Sequence, residues 1–130
     1  MKIVYSDKKT GKTSQAEVAK DKEAMLLGKK MGEIIDGFPA GLDGFKLQIT
    51  GLSDKMGSPS RREIDGTRKA KPLLGSGVGI RGAKGGFRRR KLVRGNAISV
   101  ETEQINTIIV EYGSKPAEEI FKAKVKAEEK

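Results

Sequence analysis

The sequence predicts a mostly β fold: a small β-barrel-like body that carries a long basic loop segment and ends in a short C-terminal α-helix. Short runs with alternating apolar and polar residues recur along the chain, which is the period of a half-buried strand. Glycine-rich turn signals separate these runs, as they do in small barrels and β-rich α+β folds. A capped stretch rich in Glu, Lys and Ala near the end favours a helix.

The first elements of this fold are a hairpin and a short helix. Residues 2–6 form a strand with their larger apolar side chains on one face, and residues 14–18 return antiparallel after a polar turn. Asp21 is placed to cap a short helix that runs to about Leu27, and Gly28 ends it.

The strongest strand signals lie in the middle and near the end of the chain. Residues 45–50 alternate strictly, so their three apolar residues share one face. Residues 104–112 form a longer strand whose apolar residues break the alternation, which predicts burial on both faces. We expect a further short strand at residues 98–100.

The predicted C-terminal helix begins at a Ser-Lys-Pro sequence. Ser114 is placed to cap it, and Pro116 lies in its first turn. Apolar residues at four-residue spacing form a thin stripe on it: Ala117, Phe121 and Val125. We therefore expect residues 1–112 to form a single β-rich domain that includes a basic segment at 55–95, and residues 113–130 to form the C-terminal helix.

The net charge of +10 is concentrated in this basic segment, residues 55–95. It holds thirteen Lys and Arg against Glu63 and Asp65, whereas residues 1–54 carry +1 and residues 96–130 carry −2. All eight arginines of the chain lie in it. Because the guanidinium fork binds phosphate bidentately and stacks on bases, this partition favours a polyanionic partner.

Nucleic acid is the partner that the basic segment favours over a solvated charge run or a targeting signal. Like charges so close repel one another, and an anion offsets that cost. The segment lacks the apolar helical face that membrane binding needs. RNA is favoured over duplex DNA because no helix-turn-helix or finger pattern is visible. The candidate RNA-binding residues are Arg61, Arg62, Arg68, Lys69, Lys71, Arg81, Lys84, Arg88, Arg89, Arg90, Lys91 and Arg94.

The order of the free basic segment is predicted from its composition. It contains nine Gly, two Pro and one aromatic residue, Phe87. A segment of this kind has little apolar surface to bury, so we expect it to be partly disordered without its partner.

Catalysis and cofactor binding find little support in the sequence. The chain has no Cys and no His, which removes thiol nucleophiles, the usual zinc sites and imidazole chemistry. Gly11-Lys12-Thr13 matches the end of a phosphate-binding loop, but Ser6 stands where that motif needs Gly. Residues 77–82 spell a dinucleotide fingerprint without its strand and helix. We expect no enzyme activity, catalytic residue, cofactor or metal, and neither a signal peptide nor a membrane span.

Four segments in order resemble the archaeal and eukaryotic small-subunit ribosomal protein six family. They are residues 41–51 (Gly-Leu-Asp-Gly-Phe-Lys-Leu-Gln-Ile-Thr-Gly), residues 53–59 with Arg61, residues 88–99 (Arg-Arg-Arg-Lys-Leu-Val-Arg-Gly-Asn-Ala-Ile-Ser), and residues 104–107 (Gln-Ile-Asn-Thr). The similarity covers nearly all of residues 1–112. Members from eukaryotes carry a long C-terminal helix and a phosphorylated serine tail, whereas the helix that we expect here is short and rich in Glu and Lys, with no serine cluster.

This resemblance implies a β-barrel-like structural constituent of the small ribosomal subunit, located in the cytoplasm on the ribosome. Its partners would be small-subunit rRNA and neighbouring ribosomal proteins, with neither a membrane nor a small-molecule substrate. By residue match, the rRNA-contacting region would include Arg61, Arg88, Arg89, Arg90, Lys91 and Arg94. An off-ribosome RNA-binding chaperone or regulatory module is the alternative.

Overall fold

The structure is a computed structural model that describes residues 1–81 and 85–113. As predicted, these residues are mostly β. The helical elements are short: α1 (Lys20–Glu23) and a 3₁₀ turn (Phe38–Ala40). The strands are β1 (Lys2–Ser6), β2 (Thr13–Glu17), β3 (Ile34–Asp36), β4 (Lys46–Asp54), β5 (Lys69–Ala70), β6 (Leu73–Leu74), β7 (Arg89–Arg90), β8 (Val93–Arg94) and β9 (Thr102–Glu111).

Five strands form one open sheet in the order β2-β1-β9-β4-β3. Strand β1 pairs antiparallel with β2 and parallel with β9, and β9 pairs antiparallel with β4. Within the described residues β2 and β3 remain edges, so the expected barrel-like body is wrong in its closure. The two edge strands are short, with three residues in β3 and five in β2, and they lie at opposite ends of the strand order, so no ladder of backbone hydrogen bonds joins them.

The main core lies on one face of this sheet. Ile3 and Tyr5 of β1 point into it, as do the apolar residues of β4. Phe45, Leu47 and Ile49 are at most 1% exposed, which confirms the predicted face of that strand. Strand β9 contributes Ile105 and its neighbours at alternate positions. Period-two burial therefore positions the central strands as the sequence predicts.

Three expectations from the sequence differ from the structure. Residues 98–100 form no strand, because Ile98 is buried against the loop after α1 through backbone hydrogen bonds to Gly28 and Lys29, whereas Val100 is 73% exposed. The helix expected from Asp21 is only one turn long. Strand β9 buries one face, and Val110 on the other face is 44% exposed. The expected C-terminal helix at 113–130 lies outside the described residues, save for Gly113.

A second, smaller core lies inside the basic segment. Strand β5 pairs with β8 and β6 pairs with β7, so residues 69–74 and 89–94 form two nested antiparallel pairs, an interrupted ribbon. The side chains buried beneath this ribbon are Ile64, Leu74, Ile80 and Val93. These few β-branched and leucine side chains converge on one small cluster that composition alone does not reveal, while the partial disorder of the free segment stays a prediction.

Asp7 and Tyr112 connect the β1–β2 turn to the end of β9. Asp7 is 2% exposed and accepts hydrogen bonds from the Tyr112 hydroxyl, the Thr10 hydroxyl at 2.9 Å and the Lys9 N–H at 3.0 Å. The hydrogen bond from Tyr112 is the main cause that lowers the pKa of Asp7, while burial opposes it. A carboxyl whose pKa is lowered in the folded protein stabilises the fold when the pH is above the pKa that the same carboxyl has in the unfolded chain. This stabilisation is lost as the pH falls through the lower pKa of the folded protein.

Tyr112→Phe is therefore expected to destabilise the protein at neutral pH by an amount that shrinks below about pH 4, where Asp7 becomes protonated in the unfolded chain. Thermal melts of both proteins between pH 2 and pH 7 measure this difference. Asp7→Asn is the control, since Tyr112→Phe in that background should have no pH-dependent effect. A stability difference that is equal at every pH would contradict the role of Asp7.

Candidate nucleic-acid interface

The basic segment is attached to the end of β4 by backbone hydrogen bonds. The Asp54 N–H donates to the Ser58 carbonyl at 3.1 Å, and the Ser60 N–H donates to the Leu52 carbonyl at 3.1 Å. The Arg94 N–H then donates to the Pro59 carbonyl at 2.9 Å, which joins β8 to this stretch. The Lys55 N–H donates to the Glu101 carbonyl at 3.1 Å. The ribbon β5–β8 therefore continues the structure of the main sheet, and the positions of its arginines are set by backbone pairing.

Most of the candidate cations lie on the outside of this folded segment. Strand β7 presents Arg89 and Arg90 with both side chains exposed, and the Arg90 guanidinium donates to the Lys71 carbonyl at 3.3 Å. Lys91 is half-buried. Lys84 lies outside the described residues. The exposed candidates are Arg62, Arg68, Lys69, Lys71, Arg81, Arg88, Arg89 and Arg90.

Arg94 differs from the others because the structure places it in the interior, where it is 8% exposed. Its guanidinium forms an ion pair with Asp54 at 3.4 Å, donates to the Thr67 carbonyl at 2.9 Å and bonds to the Glu101 carboxylate. The hydrogen bond from Arg94 lowers the pKa of Glu101. With its donors directed at internal acceptors, Arg94 belongs to the frame of the segment, and we remove it from the proposed contact surface.

Arg61 also has internal partners. Its side chain donates to the Val78 carbonyl at 2.6 Å and to the Ser76 carbonyl at 3.3 Å, and it pairs with Glu63 at 3.1 Å. These bonds fix the glycine-rich loop at residues 75–79 against the start of the segment. Arg61 therefore shapes the surface that the exposed cations occupy, although sequence reasoning places it among the contact residues.

Gly95 and Asn96 complete a buried motif with Arg94. The Asn96 side chain donates to the Arg62 carbonyl at 3.2 Å and accepts from the Gly66 N–H at 3.2 Å. Gly95 packs directly against this turn, since a Cβ there would lie 2.0 Å from the Gly66 carbonyl oxygen. This contact requires Gly at position 95, because real carbon and oxygen atoms do not approach so closely.

Gly95→Ala is expected to lower the free energy of unfolding by about 1–3 kcal/mol, as overpacking of a filled site usually does. Gly75→Ala is the matched control, because a Cβ at Gly75 would meet only the Arg88 Cγ, at an ordinary 3.8 Å. Urea unfolding of the two variants measures both free energies. Equal stabilities would show that the turn at Gly66 moves freely.

A pocket of about 630 Å³ is lined by residues of the basic segment. Three of the candidate cations line it: Arg81, Arg89 and Lys91. They come from different parts of the segment, so the fold brings together charges that lie up to ten positions apart in the sequence. The missed contributors to the interface are Asp54, Glu101 and Asn96, which hold the ribbon in place. Their one signal in the sequence is that they lie just outside the two ends of the basic segment.

Other kinds of site are sparse in the described parts of the chain. Within residues 1–81 and 85–113, no three Asp or Glu side chains lie close enough together to hold a metal ion. No helix in those same ranges is long and apolar enough to cross a membrane.

Comparison with known proteins gives matches over almost the full length. Residues 1–122 match the family described as Ribosomal protein S6e. The chain is 44% identical over 127 residues to the small ribosomal subunit protein eS6 of Methanocella arvoryzae, which covers 98% of this chain and 89% of that protein. It is 49% identical over 115 residues to the protein of the same name from Methanococcus maripaludis, which covers 88% and 90%. The chain belongs to the ribosomal protein S6e family.

Proposed function

We propose that this protein is a structural constituent of the small ribosomal subunit and that it binds rRNA through the exposed cations of the basic segment. The proposal depends on one observation, which is that the arginines of the basic segment fall into a structural group and an exposed group. Arg61 and Arg94 are directed inward and hold the segment together, whereas the other six point outward from a folded unit. Membership in a ribosomal protein family agrees with a structural protein and not an enzyme.

The exposed cations act by neutralising phosphates where RNA strands approach one another. A guanidinium that pairs with a phosphate releases condensed counterions, so the affinity depends steeply on salt. Fixed positions on a ribbon reduce the ordering cost that a free basic tail pays on binding. The five-stranded sheet supplies the mass and the rigid support to which this surface is attached.

The partners follow from this assignment. Small-subunit rRNA contacts the basic segment, and neighbouring ribosomal proteins contact the rest of the surface. The complex is cytoplasmic, on the ribosome. The exposed apolar side chains of α1 and its surroundings, Met25 at 53% and Leu27 at 41% exposed, suit contact with a neighbouring protein.

Sedimentation of extract from cells that express the tagged full chain tests the proposal. The chain is expected in the small-subunit fraction, and it should leave that fraction progressively as the salt concentration of the gradient is raised. Persistent absence from the small-subunit fraction at low salt would contradict the proposal and favour an RNA-binding chaperone or regulatory module that acts off the ribosome.

A further inference from the structure

The pocket in the basic segment has the dimensions of a ligand site. Its volume of about 630 Å³ lies in the range of pockets that hold small organic groups. One part of its wall is apolar and is formed by Pro59, Val78, Ile80 and Phe87. A flat patch of basic surface needs neither a recess nor an apolar wall to bind phosphates, whereas this shape suits a ligand with an apolar or planar part.

Phe87 supplies a planar surface in that wall. It is the one aromatic residue of the basic segment and is 49% exposed. The Arg89 guanidinium carbon lies 5.5 Å from the centre of its ring. The guanidinium therefore lies over one face of this ring. Unpaired bases in RNA stack on aromatic rings and on guanidinium planes, and the pocket wall contains one of each.

The rest of the wall carries positive charge. Arg81, Arg89 and Lys91 line the pocket, and no residue lining it is acidic among those that the structure describes. The carbonyls of Ser76 and Val78 are held by the Arg61 guanidinium, so the glycine-rich wall is fixed before a ligand enters. A preformed recess that combines a planar apolar wall with three cations fits a nucleotide, whose base is planar and whose phosphate is anionic.

We propose that this pocket binds a single unpaired nucleotide of RNA, with its base against Phe87 and its phosphate paired to Arg81, Arg89 or Lys91. This inference rests on the proposed function and deepens it, since it names the RNA element that the site selects. Paired RNA cannot present a base there without breaking its stack, so the pocket favours bulges and loops over continuous helices.

Two RNA hairpins test this pocket with the full chain at low salt. They are identical except that one carries a single unpaired 2-aminopurine in its stem, and fluorescence reports stacking of that base. We expect the bulged hairpin to bind about 5- to 100-fold more tightly than the paired one, as base stacking on an aromatic side chain typically contributes. Its fluorescence should change on binding.

Two pairs of variants locate the effect. Phe87→Leu should abolish the preference for the bulge, whereas Phe38→Leu, at an aromatic residue of nearly equal exposure outside the pocket, should keep it. Val78→Glu should also abolish the preference, and Val100→Glu adds the same charge to a side chain that does not line the pocket. Circular dichroism checks that each variant is folded.

The outcomes separate this inference from the function beneath it. Equal affinity of the wild-type protein for both hairpins, or an unchanged preference in both Phe87→Leu and Val78→Glu, would overturn the nucleotide pocket and leave RNA binding in place. If the protein binds neither hairpin and does not bind small-subunit rRNA, the proposed function is overturned, and the pocket assignment with it.

Discussion

Replacing Arg94 by Ala is expected to lower the free energy of unfolding by about 3–5 kcal/mol, the usual cost of removing one partner from a buried ion pair. Asp54 is 5% exposed and would be left buried without its cationic partner. The Thr67 carbonyl would also lose a donor at 2.9 Å. Because Arg94 connects the end of β4 to the ribbon, the loss should loosen the basic segment before the main sheet unfolds. Chemical denaturation followed by circular dichroism measures this effect.

Arg68→Ala is the matched control for this change. Arg68 is exposed in the same segment, so its removal should alter the stability by no more than about 0.5 kcal/mol. Asp54→Asn completes a double-mutant cycle, since its amide oxygen can still accept from the Met56 and Ser58 N–H groups. The double variant should be more stable than the sum of the single losses predicts. Strict additivity would contradict the ion pair.

Changing Arg88, Arg89 and Arg90 together to Ala is expected to weaken binding to small-subunit rRNA by at least about tenfold at physiological salt. The slope of log affinity against log salt should fall by about 2–3, because three phosphate contacts disappear. All three side chains are exposed, so the fold should remain intact. Filter binding across a series of salt concentrations gives both quantities.

Three lysines far from the ribbon provide a charge-matched control. Lys8, Lys12 and Lys20 are exposed around β1, β2 and α1, and their replacement by Ala removes the same charge of three. This variant should bind rRNA with nearly the wild-type salt slope. Equal losses in the two triple variants would mean that net charge alone, and not the arginine surface, determines the affinity.

Much of the main sheet could be predicted from the sequence, because its strands bury one face and therefore alternate between apolar and polar residues. Residues 45–50 illustrate this, as does the hairpin of β1 and β2. Sheet closure could not be predicted, since it depends on pairing between edges that are distant in the sequence. The ribbon was missed for a similar reason. Its strands have two residues each, which is too short to show the alternation of apolar and polar residues that marks a strand. Val93 is recognisable as a core residue only when the structure places it beside Leu74 and Ile80.

In the candidate site, residue type predicts the basic segment but not which of its arginines are exposed. Charge and composition identified the basic segment, and eight of the twelve candidate cations are exposed on it. The same reasoning gave Arg94 the role of a contact residue, because sequence cannot tell an arginine that faces Asp54 from one that faces solvent. The Arg-Gly-Asn sequence at 94–96 supports family membership, and the structure gives it an internal role in packing and hydrogen bonding.

The central claim is that the basic segment is folded before RNA arrives, and amide hydrogen exchange of the free protein tests it most directly. The Arg94 N–H donates to the Pro59 carbonyl and the Asn96 N–H to the Ile64 carbonyl at 2.8 Å, and both residues are at most 8% exposed. We predict that both amides exchange far more slowly than those of an unstructured peptide. Exchange of both at peptide rates, while Ile49 of β4 remains protected, would contradict the account and mean that the segment folds only on RNA.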